Sequence, residues 1–466
     1  MDRPNVLFLM TDEHRADLSG FGGNAVVRTP TLDRLAEDAV LFDNAYTPSP
    51  VCVPARQCLM AGQLPTSWGC RGWYDLPPGH LTFARHFANH AYATVCAGKL
   101  HHEGVDQMQG WMQRIGEDCR ISPRYLEQRD PASAARYSRP FAEFKWSDAK
   151  EIARAGTGEA FHTKADAYAV QGARNFIEQF FLSPYYDRER GNHEPLLLKV
   201  SLNQPHYPYI ADPERFKYYL NRVEPFVDAP LFDHPFLSER AVRPGIDVTV
   251  REVRRATAAY YAMMETADQH FADVLDSLQS AGQNLDDWII VYTSDHGEML
   301  GEHSVWEKQK FFEASVRVPF FIRWPKRFGA RRVTQNVSLI DLFATLCELC
   351  DLPIPAGLDS RSLVPLMTGR TDWDNEIVSM FSKSNQPLLA EERDEWDSSP
   401  IHQYGGMNLL IKRDALKYQY YGEHMPEVLF DLERDPLEQT NLISDRSYTE
   451  ALDAFRARRA ELGFGP

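Results

Sequence analysis

Short blocks of consecutive apolar residues recur along the chain, and most of them break off into polar or charged side chains. Asn5-Val6-Leu7-Phe8-Leu9-Met10 runs into Thr11, Asp12 and Glu13, and residues 92–97 run into Gly98, Lys99, Leu100, His101 and His102. Residues 195–202 lead to Asn203, Gln204, Pro205 and His206, and residues 288–294 to Asp295, His296, Gly297 and Glu298. Unbroken runs of this length, rich in Val, Ile and Leu, predict strands buried on both faces. Shorter strands are expected over 40–42 and 318–323. Stretches of helical period fall between them, over 29–36, 81–90, 164–181, 249–281 and 338–352. In the longest, Tyr260, Met264, Ala267, Phe271 and Leu275 recur at helical spacing and are assigned to the core.

Strands alternating with helices predict a large, mainly parallel sheet sandwiched by helices. After Thr371 the pattern changes to short strands over 407–411, 416–421 and 428–432, followed by a helix over 449–462. The expected division is therefore a catalytic α/β domain over 1–370 and a smaller C-terminal α+β subdomain over 371–466. From about 106 to 191 the period fades, and long loops holding Trp111, Trp146, Tyr185 and Tyr186 are expected above the sheet edge. Open α/β sheets bind ligands at the carboxyl ends of their strands, where the polar clusters of this chain collect.

One segment fits neither period. In Thr47-Pro48-Ser49-Pro50-Val51-Cys52-Val53-Pro54-Ala55-Arg56 the prolines favour extended backbone, and a short helix is predicted from Ala55 to its stop at Gly62. Cys52 then lies just ahead of a helix N-terminus, with Arg56 one turn on, a place suited to an oxyanion.

Composition narrows the picture. Fifty Lys and Arg against 66 Asp and Glu give a net charge of −16, which argues against nucleic acid as a partner. An anionic substrate must be drawn by a local pocket. The start Met1-Asp2-Arg3-Pro4 goes directly into the first strand and no stretch has the length of a membrane span, so a cytoplasmic protein without a membrane partner is expected. Seven cysteines without a disulfide-like spacing agree with a reducing compartment, and Cys347 and Cys350 are read as core residues.

The spacing Cys52, Pro54, Arg56, Leu59, Gly62 closely resembles the signature of the sulfatases, a branch of the alkaline phosphatase superfamily. The likeness extends through Gly98-Lys99-x-His101, Ser294 to Glu298, Lys308, Arg317-Val318-Pro319, and Leu429 to Leu432. The segments 60–65 and 306–313 look most like bacterial choline sulfatases, a resemblance that would imply a small cationic alcohol and makes Trp73, Tyr74, Trp111 and Trp146 candidates for an aromatic cage, although each also reads as a packing residue. The resemblance implies an alkaline phosphatase-like fold and hydrolysis of a small-molecule sulfate ester. It also implies that a formylglycine-generating enzyme converts Cys52 to formylglycine during maturation. Asp12, Glu13, Asp295 and His296 would hold one divalent metal ion, calcium first, with manganese or magnesium as alternatives. The family has Asp, or in some branches Gln, where this chain has Glu13. Arg56 and Lys99 would stabilise the aldehyde hydrate and the developing charge, and His101 would deprotonate its second hydroxyl. His206 and Lys308 would bind the sulfuryl oxygens and assist the leaving alcohol, Lys308 as general acid if its pKa is lowered. Phosphonate monoester or phosphodiester hydrolysis on the same scaffold is the alternative reaction, and a homo-oligomer is left open.

Overall fold

The computed structural model describes residues 3–69, 75–116, 148–182, 194–226, 230–381 and 407–465. Its main sheet is built from β1 (Val6–Asp12), β2 (Val40–Tyr46), β3 (Ala93–Gly98), β4 (Gln113–Ile115), then, past a small separate pairing of β5 (Gly156–Thr157) with β7 (Ile210–Ala211), β6 (Leu196–Pro205) and β8 (Ile289–Ser294), and finally β9 (Arg317–Val318), β10 (Phe320–Arg323) and β11 (Arg331–Ser338). The order across the sheet is β11-β2-β10-β8-β1-β6-β3-β4, with β9 paired to β2. β1 lies parallel to both β6 and β8, and β3 parallel to β6. β10 runs antiparallel between β8 and β2, so the sheet is mixed but mostly parallel.

Successive residues of β1 face opposite layers, as the two-residue period of a strand requires. Val6, Phe8 and Met10 pack with Leu59, Phe83 and Phe343 from the helices Cys52–Ala61, Phe83–Asn89 and Leu342–Leu349. Leu7 and Leu9 pack with Leu32, Ile177 and Phe271 from the helices Pro30–Ala36, Phe161–Leu182 and Val250–Ser280. Both layers are dry, which is why the sequence of β1 reads as one apolar run. The Val250–Ser280 helix starts at a capping box: Thr249 Oγ1 accepts from the Glu252 amide while Glu252 accepts from the Thr249 amide.

A second sheet, β12 (Glu376–Phe381), β13 (Asn408–Arg413), β14 (Leu416–Tyr420) and β15 (Val428–Asp431), is antiparallel throughout. Ile377, Leu410 and Phe430 pack against Phe311 and Phe312 of the main body, whereas Met380, Ile411 and Leu429 pack against Leu452 and Phe455 of the closing helix Thr449–Glu461.

Several elements differ from expectation. The helix expected from Ala55 begins at Cys52, because Pro54 stands in its first turn, where no amide donor is needed. It ends as expected at Gly62, with φ +64°. The helix expected over 338–352 is a short 3-10 turn, Leu339–Asp341, followed by Leu342–Leu349. β11 and β12 were not anticipated. Among the described residues no helix is long and apolar enough to cross a membrane.

Candidate active site

The register of the main sheet brings the predicted polar clusters to one edge. Asp12 lies opposite Pro205, Thr11 opposite Ser294, and Gly98 opposite Ser201, so the residues that follow β1, β3, β6 and β8 emerge side by side. Gly98 is required there: its φ is +88°, and a Cβ would fall 2.0 Å from the Ser201 carbonyl oxygen. That approach lets the Lys99 amide donate to the same carbonyl at 2.8 Å.

Arg56 ties the edge together. Its Nε donates to Asp295 Oδ2 at 2.7 Å and its Nη2 to Asp12 Oδ2 at 3.0 Å, while Nη1 donates to the Lys99 carbonyl and the Ser201 hydroxyl. Lys99 Nζ reaches Asp12 Oδ2 at 2.7 Å. Burial works against the charge on Asp12, but Lys99, His206, Arg56 and His296 hold its carboxyl well below the usual range. Asp295 is pushed up, since burial and the Asp12 charge outweigh Arg56.

Cys52, 1% exposed, has its sulfur 3.1 Å from His296 Nε2 and 3.7 Å from Asp12 Oδ1. His101 also hydrogen-bonds this sulfur. Burial and Asp12 raise the thiol pKa, yet Lys308, His296 and Lys99 prevail and leave it well below the ordinary thiol value. His296 is pushed up to about 10: burial opposes its charge, and Asp295 and the Cys52 thiolate overcome it. Its Nδ1 faces the Gly297 carbonyl at 3.0 Å and must donate, so Nε2 is the nitrogen turned to the site. His101 is pushed up to about 9, against burial, by its hydrogen bonds to Cys52 and Glu103.

Asp12, Cys52, Asp295 and His296 each offer one ligand atom, all within 4.8 Å of one another and all buried. Two carboxylates with one imidazole suit a hard divalent cation. The carboxylate of Glu13 is not in that group but in a second one that shares Asp12: Asp12, Glu13 and His206, all buried, also offer ligand atoms within 4.8 Å of one another. Glu13 stands at φ +66°, its amide donates to Asp295 Oδ1 at 3.1 Å, and its Oε2 bonds Lys308 Nζ at 2.9 Å. Its Oε1 is buried without a hydrogen bond.

Lys308 Nζ lies 2.8 Å from His206 Nε2 and 4.9 Å from the centre of the Tyr207 ring. His206 Nδ1 must donate to the Tyr207 carbonyl, 2.6 Å away, so Nε2 accepts from the ammonium. Burial and the Lys308 charge push His206 down to about 4 and keep it neutral. The pKa of Lys308 is not lowered, as general acid chemistry would want. Burial does work in that direction, but Cys52, Glu13, Tyr207 and Glu307 raise it well above the usual value. Lys310 lies elsewhere, over the Phe236 ring and bonded to the Phe236 carbonyl.

Trp111 is 2% exposed and packs edge-on against Phe83, which makes it a core residue and not part of a cage. Trp73, Tyr74, Trp146, Tyr185 and Tyr186 lie outside the described residues. Sequence reading missed Ser201, Glu103, His162 and Asp166, none of which carries a local signal. It also took Tyr260 as packing alone, although its hydroxyl accepts from the Arg15 amide and donates to the Glu13 carbonyl.

The family model for the sulfatases matches residues 4–352, three quarters of the chain. This chain belongs to the sulfatase family. The model for the C-terminal part of N-sulphoglucosamine sulphohydrolase matches residues 301–462. The choline-sulfatase of Rhizobium meliloti (strain 1021) is 32% identical over 98% of this chain and 86% of its own length. The arylsulfatase of Clostridium perfringens (strain 13 / Type A) is 26% identical over 97% of this chain and 93% of its own. Among solved structures, the phosphonate monoester hydrolase of Agrobacterium radiobacter superposes with a TM-score of 0.76 at 23% identity, covering 99% of this chain and 95% of that one. This last likeness concerns the fold. As a sulfatase, the protein is a sulfuric ester hydrolase.

Proposed function

We propose that this sulfatase hydrolyses sulfate monoesters through a formylglycine made from Cys52, with one divalent cation held by Asp12, Asp295 and His296. The reading rests on one observation: the Cys52 sulfur is met at once by His296, by Asp12 and by His101. A hydrated aldehyde there would supply two hydroxyls on one carbon, one to attack sulfur and one whose deprotonation would expel sulfate, and the cation held by Asp12, Asp295 and His296 would polarise the sulfate oxygens. Calcium is the first choice, with manganese or magnesium as alternatives, since the donors are mainly oxygen.

The residues of the chain divide the remaining work. Arg56 and Lys99 fix Asp12 and Asp295 and set positive charge beside the reacting oxygens. His101, braced 3.4 Å from Glu103, takes the proton of the second hydroxyl. The hydrogen bond to a thiolate that now raises its pKa belongs to unmodified Cys52, and the modification removes it. Lys308, oriented by Glu13 and by neutral His206, stabilises charge on the departing alcohol as a fixed ammonium rather than by giving up a proton.

The test is to coexpress the chain with a formylglycine-generating enzyme at several levels and measure the modified fraction of Cys52 by peptide mass. Turnover of 4-nitrophenyl sulfate should rise in proportion to that fraction. Equal turnover by fully unmodified protein would rule the reading out.

A further inference from the structure

The segment that presents His206 is a reverse turn, closed by the His206 amide donating to the Asn203 carbonyl at 2.9 Å. One buried carboxylate grips the start of this turn. Asp166, in the second turn of the helix Phe161–Leu182, is 0% exposed. Its Oδ1 accepts from the backbone amide of Asn203 at 2.7 Å and from the side-chain amide at 3.0 Å. Its Oδ2 accepts from the backbone amide of Gln204 at 2.9 Å and from the side-chain amide at 3.2 Å. These four donors match the lone-pair capacity of a carboxylate, and charge-assisted bonds of this kind fix orientation as well as energy. One turn earlier on the same helix, His162 meets the His206 ring edge-on at 5.3 Å between centroids.

We propose that Asp166 is a positioning residue for catalysis: through the Asn203–His206 turn it sets the place of His206, and through His206 the direction of the Lys308 ammonium toward the leaving oxygen. The proposal rests on the reading of His206 and Lys308 given above. Nothing in it requires Asp166 to touch substrate. Asp166 acts at a distance, by holding residues one and two of a turn whose fourth residue carries the ring.

A merely structural role would slow all substrates alike or only lower stability. A positioning role makes the loss depend on how much help the leaving group needs. The experiment compares kcat and KM for 4-nitrophenyl sulfate and for phenyl sulfate, whose phenolate is the poorer leaving group, in modified wild type, Asp166→Asn, His206→Ala and the double variant. Asp166→Asn puts two donors of its own where two acceptors stood. It should lose about 100-fold in kcat on phenyl sulfate, the scale of a small misplacement, and less than about threefold on 4-nitrophenyl sulfate, with KM nearly unchanged. The double variant should lose little more than His206→Ala alone, because the two residues act as one unit.

If Asp166→Asn folds poorly, Gln204→Ala removes one side-chain bond of the clamp and should show the same dependence on leaving group at smaller size. Equal losses on both substrates, or losses that multiply in the double variant, overturn the positioning role. A His206→Ala variant that treats both substrates alike overturns the underlying reading of His206, and the proposal with it.

Discussion

The two sides of the site are built by different means. On the side proposed to carry the nucleophile, Asp12, Asp295 and His296 sit on or directly after strands of the central sheet, and Lys99 follows β3 by one residue. Arg56 joins these strand ends from the helix that begins at Cys52. On the side proposed to meet the leaving group, His206 stands on a reverse turn and Lys308 on the irregular segment between β8 and β9, where Glu307 and Gln309 both have positive φ. The first side inherits its geometry from sheet register. The second must be propped from outside, by Asp166 beneath the turn and by the C-terminal sheet, whose buried Lys417 bonds Glu313 at 2.9 Å and Glu438 at 2.7 Å. In the proposed reading, chemistry shared by all substrates rests on the rigid element, and contact with the variable alcohol on segments that can differ.

The largest effect should come from breaking the rigid side. Arg56→Ala leaves Asp12 and Asp295 buried without their shared cation, so about 3–5 kcal/mol of stability should go. Activity should fall roughly 1000-fold, read by chemical denaturation and by kcat. Lys308→Ala should instead cost about 100-fold on phenyl sulfate, with a smaller loss on 4-nitrophenyl sulfate. Equal losses on the two esters would erase the distinction between the sides.

A third change probes the outside prop through pH. Burial and Glu313 push Glu438 up to about 7 from an ordinary 4.5, with Lys417 opposing. A carboxyl that binds its proton more tightly when folded stabilises the fold below its unfolded pKa, and that stability is lost as pH rises through the folded value. Glu313, drawn down to about 2, acts only in the acid range, where its stabilisation is lost as pH falls from 4.5. The melting temperature of Glu438→Gln should therefore vary less than that of wild type between pH 4.5 and 7, which melts at several pH values would read. The smallest effect is expected from Thr249→Ala, far from both sides, at about 1 kcal/mol for the lost helix cap and with no change in leaving-group dependence.

Much of the rigid side is legible in the sequence because apolar runs locate strands, and strands in a parallel sheet release their next residues at a common edge. Asp12, Lys99, His101, His206, Asp295 and His296 are found in this way, and Cys52 and Arg56 by their spacing. The props are not legible. Asp166 lies on a helix where a lone acidic residue reads as a solvated position, and only the third dimension buries it against Asn203 and Gln204. β11 escaped notice because its first two residues are exposed arginines, and β12 because it pairs with β13 across an intervening stretch of the chain. The pKa of Lys308 could not be read either, since it depends on Glu13, Tyr207 and Glu307 converging from separate segments.

The central claim is that this site is built for transfer of a sulfuryl group rather than of a phosphonyl group on the same fold. The most direct measurement is the ratio of kcat/KM for 4-nitrophenyl sulfate to that for a phenyl phosphonate ester, with Cys52 fully converted. Each tenfold in that ratio is about 1.4 kcal/mol of differential transition-state binding. The account predicts a clear preference for the sulfate. A preference for the phosphonate would contradict it, whatever became of the fold and the residue roles.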